Sequence, residues 1–530
     1  MMARLIARAR GGTVVGMTAL EPSQRLLALL AEEGIDEQYP DAVHAQVDAW
    51  LKAPGTDDAA LEDRLEVPFV TVDGPGTRDL DQALYCEVRE DGFGVQYAIA
   101  DASYYAPVGT PLFEEALRRG ASYYLPGRSV PMLPRALSEG LVSLGPAGPR
   151  RAMVFDMTLD RDGVCVRTEI VRARIHSRHQ LTFADVGAAQ RGEPGPVTDP
   201  AIVASLRAMA TVGAVRAQLA LSRGVVPYHR KEVRVKLREG AEARLTAVEV
   251  VRDGVEADNA QLSLLCNAQG AEVLQSLGKE QAQPIYKVHP PPDEEALRSL
   301  EARLDAVADA HGLEGPWRWH RNDRPLADYL RNLPEDPTRA RLVDAIRRQT
   351  IMVNVRSAFA DAPGRHFGVG AEVYGRFSAP MREVVGVYLH KEMFEGLSGN
   401  GRPRVADEAL RQRVIEAANR SKLLQSTVSR AADQLVIDDL FARDLSHPPK
   451  MRTVHAGTVM GMRKGRIYVR LDVPPLDVKI YCDRLAQPLH TDEHGAQVLR
   501  GGAVVARLGD AVGVRVVDRS PDGRWVLEVV

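Results

Sequence analysis

A chain of 530 residues with 45% apolar and 26% charged residues has room for about three to four domains and is neither disordered nor collagen-like in composition. Net charge is −3, from 68 Lys and Arg against 71 Asp and Glu, so any polyanion must be met by a local patch and not by the whole surface. Four cysteines (Cys86, Cys165, Cys266, Cys482) lie far apart without a CxxC pair, which excludes a cysteine zinc site and a disulfide framework.

The opening segment, MMARLIARARGGTVVGM, has only a broken apolar stretch. No signal peptide and no span of about 20 apolar residues is read, so a cytoplasmic protein without a membrane partner is expected. Residues 21–64 carry Leu26, Leu27, Leu29 and Leu30, then Val43, Val47, Trp50 and Leu51, at helical spacing. Pro40 and Pro54-Gly55 punctuate between helices. This predicts a helical N-terminal domain over 1–64, either a packing cap or a helix-turn-helix-like module. From 65 the pattern turns to strands: VPFVTVD, YCEV, VQYAIADAS, RAMVFDMTLD and CVRTEIVRARIH. Helical patterns dominate from about 200 to 440. Strands first and helices after predict an α+β domain over 65–448. SHPPKM marks a boundary, and 449–530 is a run of short strands that predicts a small barrel of OB type. On it Arg463, Lys464 and Arg466 alternate with Tyr468, a pattern that suits either single-stranded nucleic acid or a solvated charged face.

The most informative stretch is Thr71-Val72-Asp73-Gly74-Pro75-Gly76-Thr77-Arg78-Asp79-Leu80-Asp81-Gln82. Asp79 and Asp81 alternate, so on extended backbone they point the same way. Asp73 can converge on them across the turn. Carboxylates held close repel unless a proton or a cation sits between them, and hard oxygen donors suit Mg2+ or Mn2+. The alternative is a solvated acidic turn.

VTVDGPGTRDLDQAL resembles the catalytic loop of the ribonuclease II family, the RNB-domain 3′→5′ exoribonucleases. The resemblance extends through YAIADASYYAPVGTPLFEEALRRGASYYLPGRSVPMLPRALSEGLVSL, YKVHPPPDEEAL, RHFGVG and YGRFSAPMR, in the family's order. It implies an RNB catalytic domain followed by an OB-fold RNA-binding barrel. It also implies a processive, two-metal hydrolase with a Mg2+ cofactor (Mn2+ as substitute) that cuts single-stranded RNA to nucleoside 5′-monophosphates. A monomer is expected.

By the same resemblance Asp73, Asp79, Asp81 and Arg382 are catalytic, and Asp73, Asp79, Asp81 and Gln82 are the metal ligands. Gln82 stands where the family has a fourth aspartate. Tyr124 and Tyr228 match two rings that clamp stacked bases. Phe183 and Gln261 fall where the family contacts the ribose with a tyrosine and a glutamate, so sugar selectivity is expected either to be relaxed or to rest on Gln261 alone. Glu383, Val384 and Gly386 depart from the residues the family carries after its arginine. Asp101 reads as a structural carboxylate, and His289 and His366 as packing residues. The family's usual N-terminal cold-shock barrels have no counterpart before the loop, from which better tolerance of 3′-tailed duplex RNA is expected. A stall several nucleotides short of the junction overturns that expectation. The competing reading is an RNA-binding protein that keeps the fold without the catalysis.

Overall fold

The computed structural model describes residues 22–226, 232–238, 244–250, 254–399 and 405–530. Among them no helix is long and apolar enough to cross a membrane. Two short helices come first, α1 (Pro22–Glu32) and α2 (Asp41–Lys52). Leu26 and Leu30, four apart on one face of α1, are buried beside Tyr123, Leu125 and Val130. Val43 and Val47 of α2 enter the main core.

The central sheet holds β1 (Glu62–Arg64), β2 (Val70–Asp73), β3 (Gln82–Arg89), β4 (Gly92–Ala100), β7 (Arg150–Asp160), β8 (Cys165–Ile175) and β9 (His179–Thr182). Their order is β1-β8-β7-β4-β3-β2-β9. β5 (Tyr123–Leu125) and β6 (Arg128–Val130) form a separate small hairpin. β1 pairs in parallel with β8, so residues 62–64 belong to this sheet and not to the helical unit expected over 1–64. β4 is buried almost throughout, which explains its near-continuous apolar run.

The helices in chain order are α3 (Ala102–Tyr105), α4 (Pro111–Arg119), α5 (Phe183–Arg191), α6 (Pro200–Ser222), α7 (Gly254–Leu277) and α8 (Glu294–Ala310). After them come α9 (Leu326–Arg331), α10 (Ala340–Met352), α11 (Val384–Leu397) and the 41-residue α12 (Val405–Leu445). Between α6 and α7 stands a hairpin that the helical reading of this region missed, β10 (Glu232–Arg238) with β11 (Arg244–Val250). A second short pair is β12 (Tyr286–Val288) with β13 (Ala358–Ala360).

The C-terminal barrel has a five-stranded sheet of β14 (His455–Met462), β15 (Arg466–Leu471), β16 (Asp477–Tyr481), β20 (Ala511–Arg519) and β21 (Trp525–Val529). The order is β16-β15-β14-β20-β21, and the end strands β16 and β21 approach each other, so the sheet curls toward closure. A smaller sheet joins β17 (His490–Thr491), β18 (Gln497–Arg500) and β19 (Ala503–Arg507). The barrel is packed onto α8–α10 and the end of α12 in one shared core, with Gln349 Nε2 of α10 donating to Met460 O at 2.6 Å.

Candidate active site

β2 ends at Asp73 and β3 begins at Gln82, so residues 74–81 form the turn between them. The turn is held from three sides. Ser143 Oγ accepts from Leu80 N at 3.1 Å and donates to Arg78 O at 2.7 Å. Gln180 Nε2 donates to Thr77 O at 2.7 Å, and Ala100 N donates to Asp81 O at 2.8 Å.

Within this frame Asp81 is 2% exposed. One of its oxygens accepts from Met381 N at 2.9 Å, and the other pairs with Arg382 Nε. Burial pushes its carboxyl up to about 6, against the opposing pull of Arg382. The Arg382 side chain is 32% exposed. Asp79 Oδ2 accepts from the Tyr124 hydroxyl at 2.6 Å, and the Tyr124 residue is 57% exposed. Asp73 Oδ1 accepts from Gly74 N at 2.6 Å and from Thr77 Oγ1 at 3.2 Å. Three segments far apart in sequence thus meet, residues 73–81, Tyr124 and Arg382.

The donor chemistry suits a hard divalent ion, but the arrangement does not gather it. Among the described residues no group of three or more His, Cys, Asp or Glu side chains is placed to hold one metal. Gln82 also departs from its expected role as ligand. Its Oε1 accepts from Tyr97 OH at 2.6 Å and its Nε2 donates to Ser378 O. The reason is pleat geometry, since neighbours on extended backbone point to opposite faces and Gln82 follows Asp81 directly. With Asp81 committed to Arg382 and Gln82 turned into the sheet, the four-ligand cage expected from sequence is not assembled.

The turn that presents Arg382 is built from α7. Asn267 is fully buried, and its Oδ1 accepts from Phe377 N at 2.7 Å and Ser378 N at 3.1 Å. Its Nδ2 donates to Ser378 Oγ at 2.9 Å. A buried Asn inside the apolar run LLCNAQGA was a legible signal that sequence reasoning passed over. Asn267→Ala leaves two buried N–H groups without acceptors, each costing about 1–3 kcal/mol. The expected result is a lower melting temperature together with a lower kcat, since the turn carrying Arg382 loosens.

The orienting contacts that the residues after Arg382 do not supply come from Asp81 and from the segment after α4. Ser122 N donates to Arg382 O at 2.9 Å, and Val384 N to Gly120 O at 3.0 Å. Gly386 permits the close approach of α11, because a Cβ there would lie 2.8 Å from Pro380 Cα. Glu383 pairs with Arg376 at 2.8 Å.

The other sequence-derived residues take varied places. Phe183 opens α5, half-buried against the main core, next to Thr182, which is in register with Asp73. Gln261 is half-buried on α7, two residues before Ser263, whose Oγ donates to Ser378 Oγ at 2.9 Å. Tyr228 lies outside the described residues. Arg463, Lys464 and Arg466 are exposed at the tip of the β14–β15 hairpin, where Lys464 and Gly465 both have positive φ, as a type I′ turn requires. Tyr468 is half-buried opposite Lys479 on the same sheet. Asp101 is fully buried and paired with Arg172 at 2.9 Å. His289 and His366 stack edge to face, 5.1 Å between centroids, and burial drives His366 down to about 4.

A strand-turn-strand loop of acids joined to a distant arginine on a long α+β scaffold is the arrangement of an RNB domain. The chain belongs to the RNB-domain family, whose model matches residues 61–398. Ribonuclease R of Escherichia coli (strain K12) is 29% identical over 507 residues, covering 92% of this chain. The chain spans 60% of the length of that relative. The solved structure of Mycoplasma genitalium RNase R in complex with ribose methylated single-stranded RNA has a TM-score of 0.83 at 20% identity, over 96% of this chain and 78% of that one. Yeast Ssd1, described as a pseudonuclease, has a TM-score of 0.65 at 12% identity, over 94% of this chain and 59% of its own. At these identities the two structures establish the fold.

Proposed function

We propose that the chain is a 3′→5′ exoribonuclease that hydrolyses single-stranded RNA to nucleoside 5′-monophosphates. The observation that carries this reading is the Asp81–Arg382 pair placed beside an exposed Tyr124 that is hydrogen-bonded to Asp79. A water attacks the last phosphodiester phosphorus. The bond from phosphorus to the 3′-oxygen of the shortened chain breaks, and that oxygen takes a proton. Asp81, titrating near 6, is ionised at neutral pH and able to accept the proton of the attacking water. Arg382 is anchored through Nε, which leaves its terminal nitrogens to offset charge on the phosphoryl oxygens. Phe183 and Gln261 flank the ribose, and the basic tip of the barrel meets phosphates upstream.

Magnesium, with manganese as substitute, belongs to this reading as a requirement to be measured and not as a step. For three carboxylates to share an ion, Asp81 must first give up part of its bond to Arg382. A 5′-labelled single-stranded RNA incubated with and without Mg2+ tests the proposal. Stepwise shortening from the 3′ end supports it, and a ladder starting from internal cuts overturns it. The second reading, an RNA-binding protein without catalysis, is favoured by the ungathered carboxylates and by Gln82, and the pseudonuclease Ssd1 shares this fold. A stable shifted band without shortening identifies it.

Tyr124 gives a separable prediction. Tyr124→Ala removes a stacking platform worth about 1–3 kcal/mol per base, so the final undigested oligomer lengthens on a sequencing gel. Tyr124→Phe keeps the ring but frees Asp79. It is expected to leave the end-product length unchanged while altering the rate.

A further inference from the structure

The hairpin β10–β11 belongs to no larger sheet, and its sequence is strongly patterned. Along β10, Val233, Val235 and Leu237 are half-buried, whereas Arg234, Lys236 and Arg238 are exposed. The apolar side is fixed in place. Val235 packs with the cluster of Tyr123, Leu125 and Val428, and Leu237 lies against Gly127, where a Cβ would come within 3.1 Å of it. The hairpin is therefore locked to the same β5–β6 arm that carries Tyr124.

One cleft of about 490 Å³ runs between these parts and is lined by Tyr124, by Arg234 and Lys236 of β10, and by Val428 and Asp433 of α12. Arg234 pairs with Glu232 at 2.9 Å, and Tyr124, which lines the same cleft, joins it to the acidic turn through its hydrogen bond to Asp79 at 2.6 Å. Lys236 and Arg238 make no ion pair among the described residues. Alternate residues on a strand stand about 6.6 Å apart, so the three cations form an evenly spaced row.

We propose that the exposed face of β10 is a phosphate rail: Arg234, Lys236 and Arg238 contact successive phosphates of a single RNA strand and lead its 3′ end past Tyr124 to the acidic turn. The inference rests on the exonuclease reading and deepens it by naming where the strand approaches. Contacts of this kind carry no base information, so the rail serves all sequences alike.

The experiment is equilibrium binding of fluorescein-labelled oligo(U) and oligo(A) to the full chain, in EDTA to suppress cleavage, across a salt series. Lys236→Ala/Arg238→Ala is compared with wild type, with Lys236→Arg/Arg238→Lys, and with Arg167→Ala. Arg167 is exposed on β8, outside the cleft. The alanine pair is expected to raise Kd several-fold for both oligomers and to flatten the slope of log affinity against log salt by about 1.4, about 0.7 per lost contact. The charge-preserving pair restores both, and Arg167→Ala changes neither. An unchanged Kd and slope in the alanine pair, or a raised Kd with an unchanged slope, overturns the rail while the exonuclease reading stands. Failure of the wild type to bind or shorten RNA overturns that reading and the rail with it.

Discussion

Arg382→Ala is expected to lower kcat by about 10²- to 10³-fold, the usual loss when one preorganised charge-stabilising donor is removed. Two effects act together. The guanidinium no longer faces the phosphoryl oxygens, and Asp81 loses the cation that opposes the effect of burial on its carboxyl. The Asp81 pKa therefore climbs above its value of about 6, and a smaller share is ionised at neutral pH. Arg382→Lys keeps a charge but not the fork. A single ammonium cannot hold Asp81 and a phosphate oxygen in the same geometry, so only a fraction of the rate returns. Single-turnover measurements at saturating enzyme check this. A change confined to KM, with kcat intact, would show that Arg382 only binds substrate.

The second large effect is on pH. With Asp81 as the proton acceptor, kcat/KM rises about tenfold per pH unit below about pH 6 and levels off above it. Asp81→Asn removes both the rise and nearly all of the rate. Stability moves in the opposite direction. The carboxyl titrates near 6 in the folded chain, against about 3.9 for an unperturbed aspartate, so the folded state binds the proton more tightly. Its contribution to stability is full below about pH 4 and is lost as pH rises toward 6. Thermal melts of the wild type between pH 4 and 6 carry this decline, and melts of Asp81→Asn over the same range are expected to be flatter by that amount. A wild-type rate profile that is flat from pH 5 to 8 would sink the assignment of Asp81 as base.

The aspartate loop was legible because it is local. Nine residues hold all three acids, and the alternation of Asp79 and Asp81 sets their shared direction. The Asp81–Arg382 pair spans 301 residues, and no spacing rule reaches that far. Only the resemblance pointed to Arg382, and it could not say that its partner would be Asp81 itself. Position in the sequence alone does not show that Gln82 bonds Tyr97 and Ser378, since that follows from the pleat and from a segment 296 residues away. The β10–β11 hairpin was missed although EVRVKLR alternates with period 2, because helical patterns on both sides dominated the reading of that region. In the barrel, β16–β18 are only two to five residues each, too short to register as periodic segments.

Arg119 is fully buried, and its guanidinium reaches outward in three directions. Its Nε bonds Glu115, Nη1 donates to Asp36 O and Pro131 O, and Nη2 donates to Gln38 O at 2.6 Å. One side chain thereby rivets the link between α1 and α2 to the strand-like arm beyond Tyr124. A riveted joint does not swing. The link between α1 and α2 is therefore expected to move with that arm as one body, and Arg119→Ala to uncouple the two.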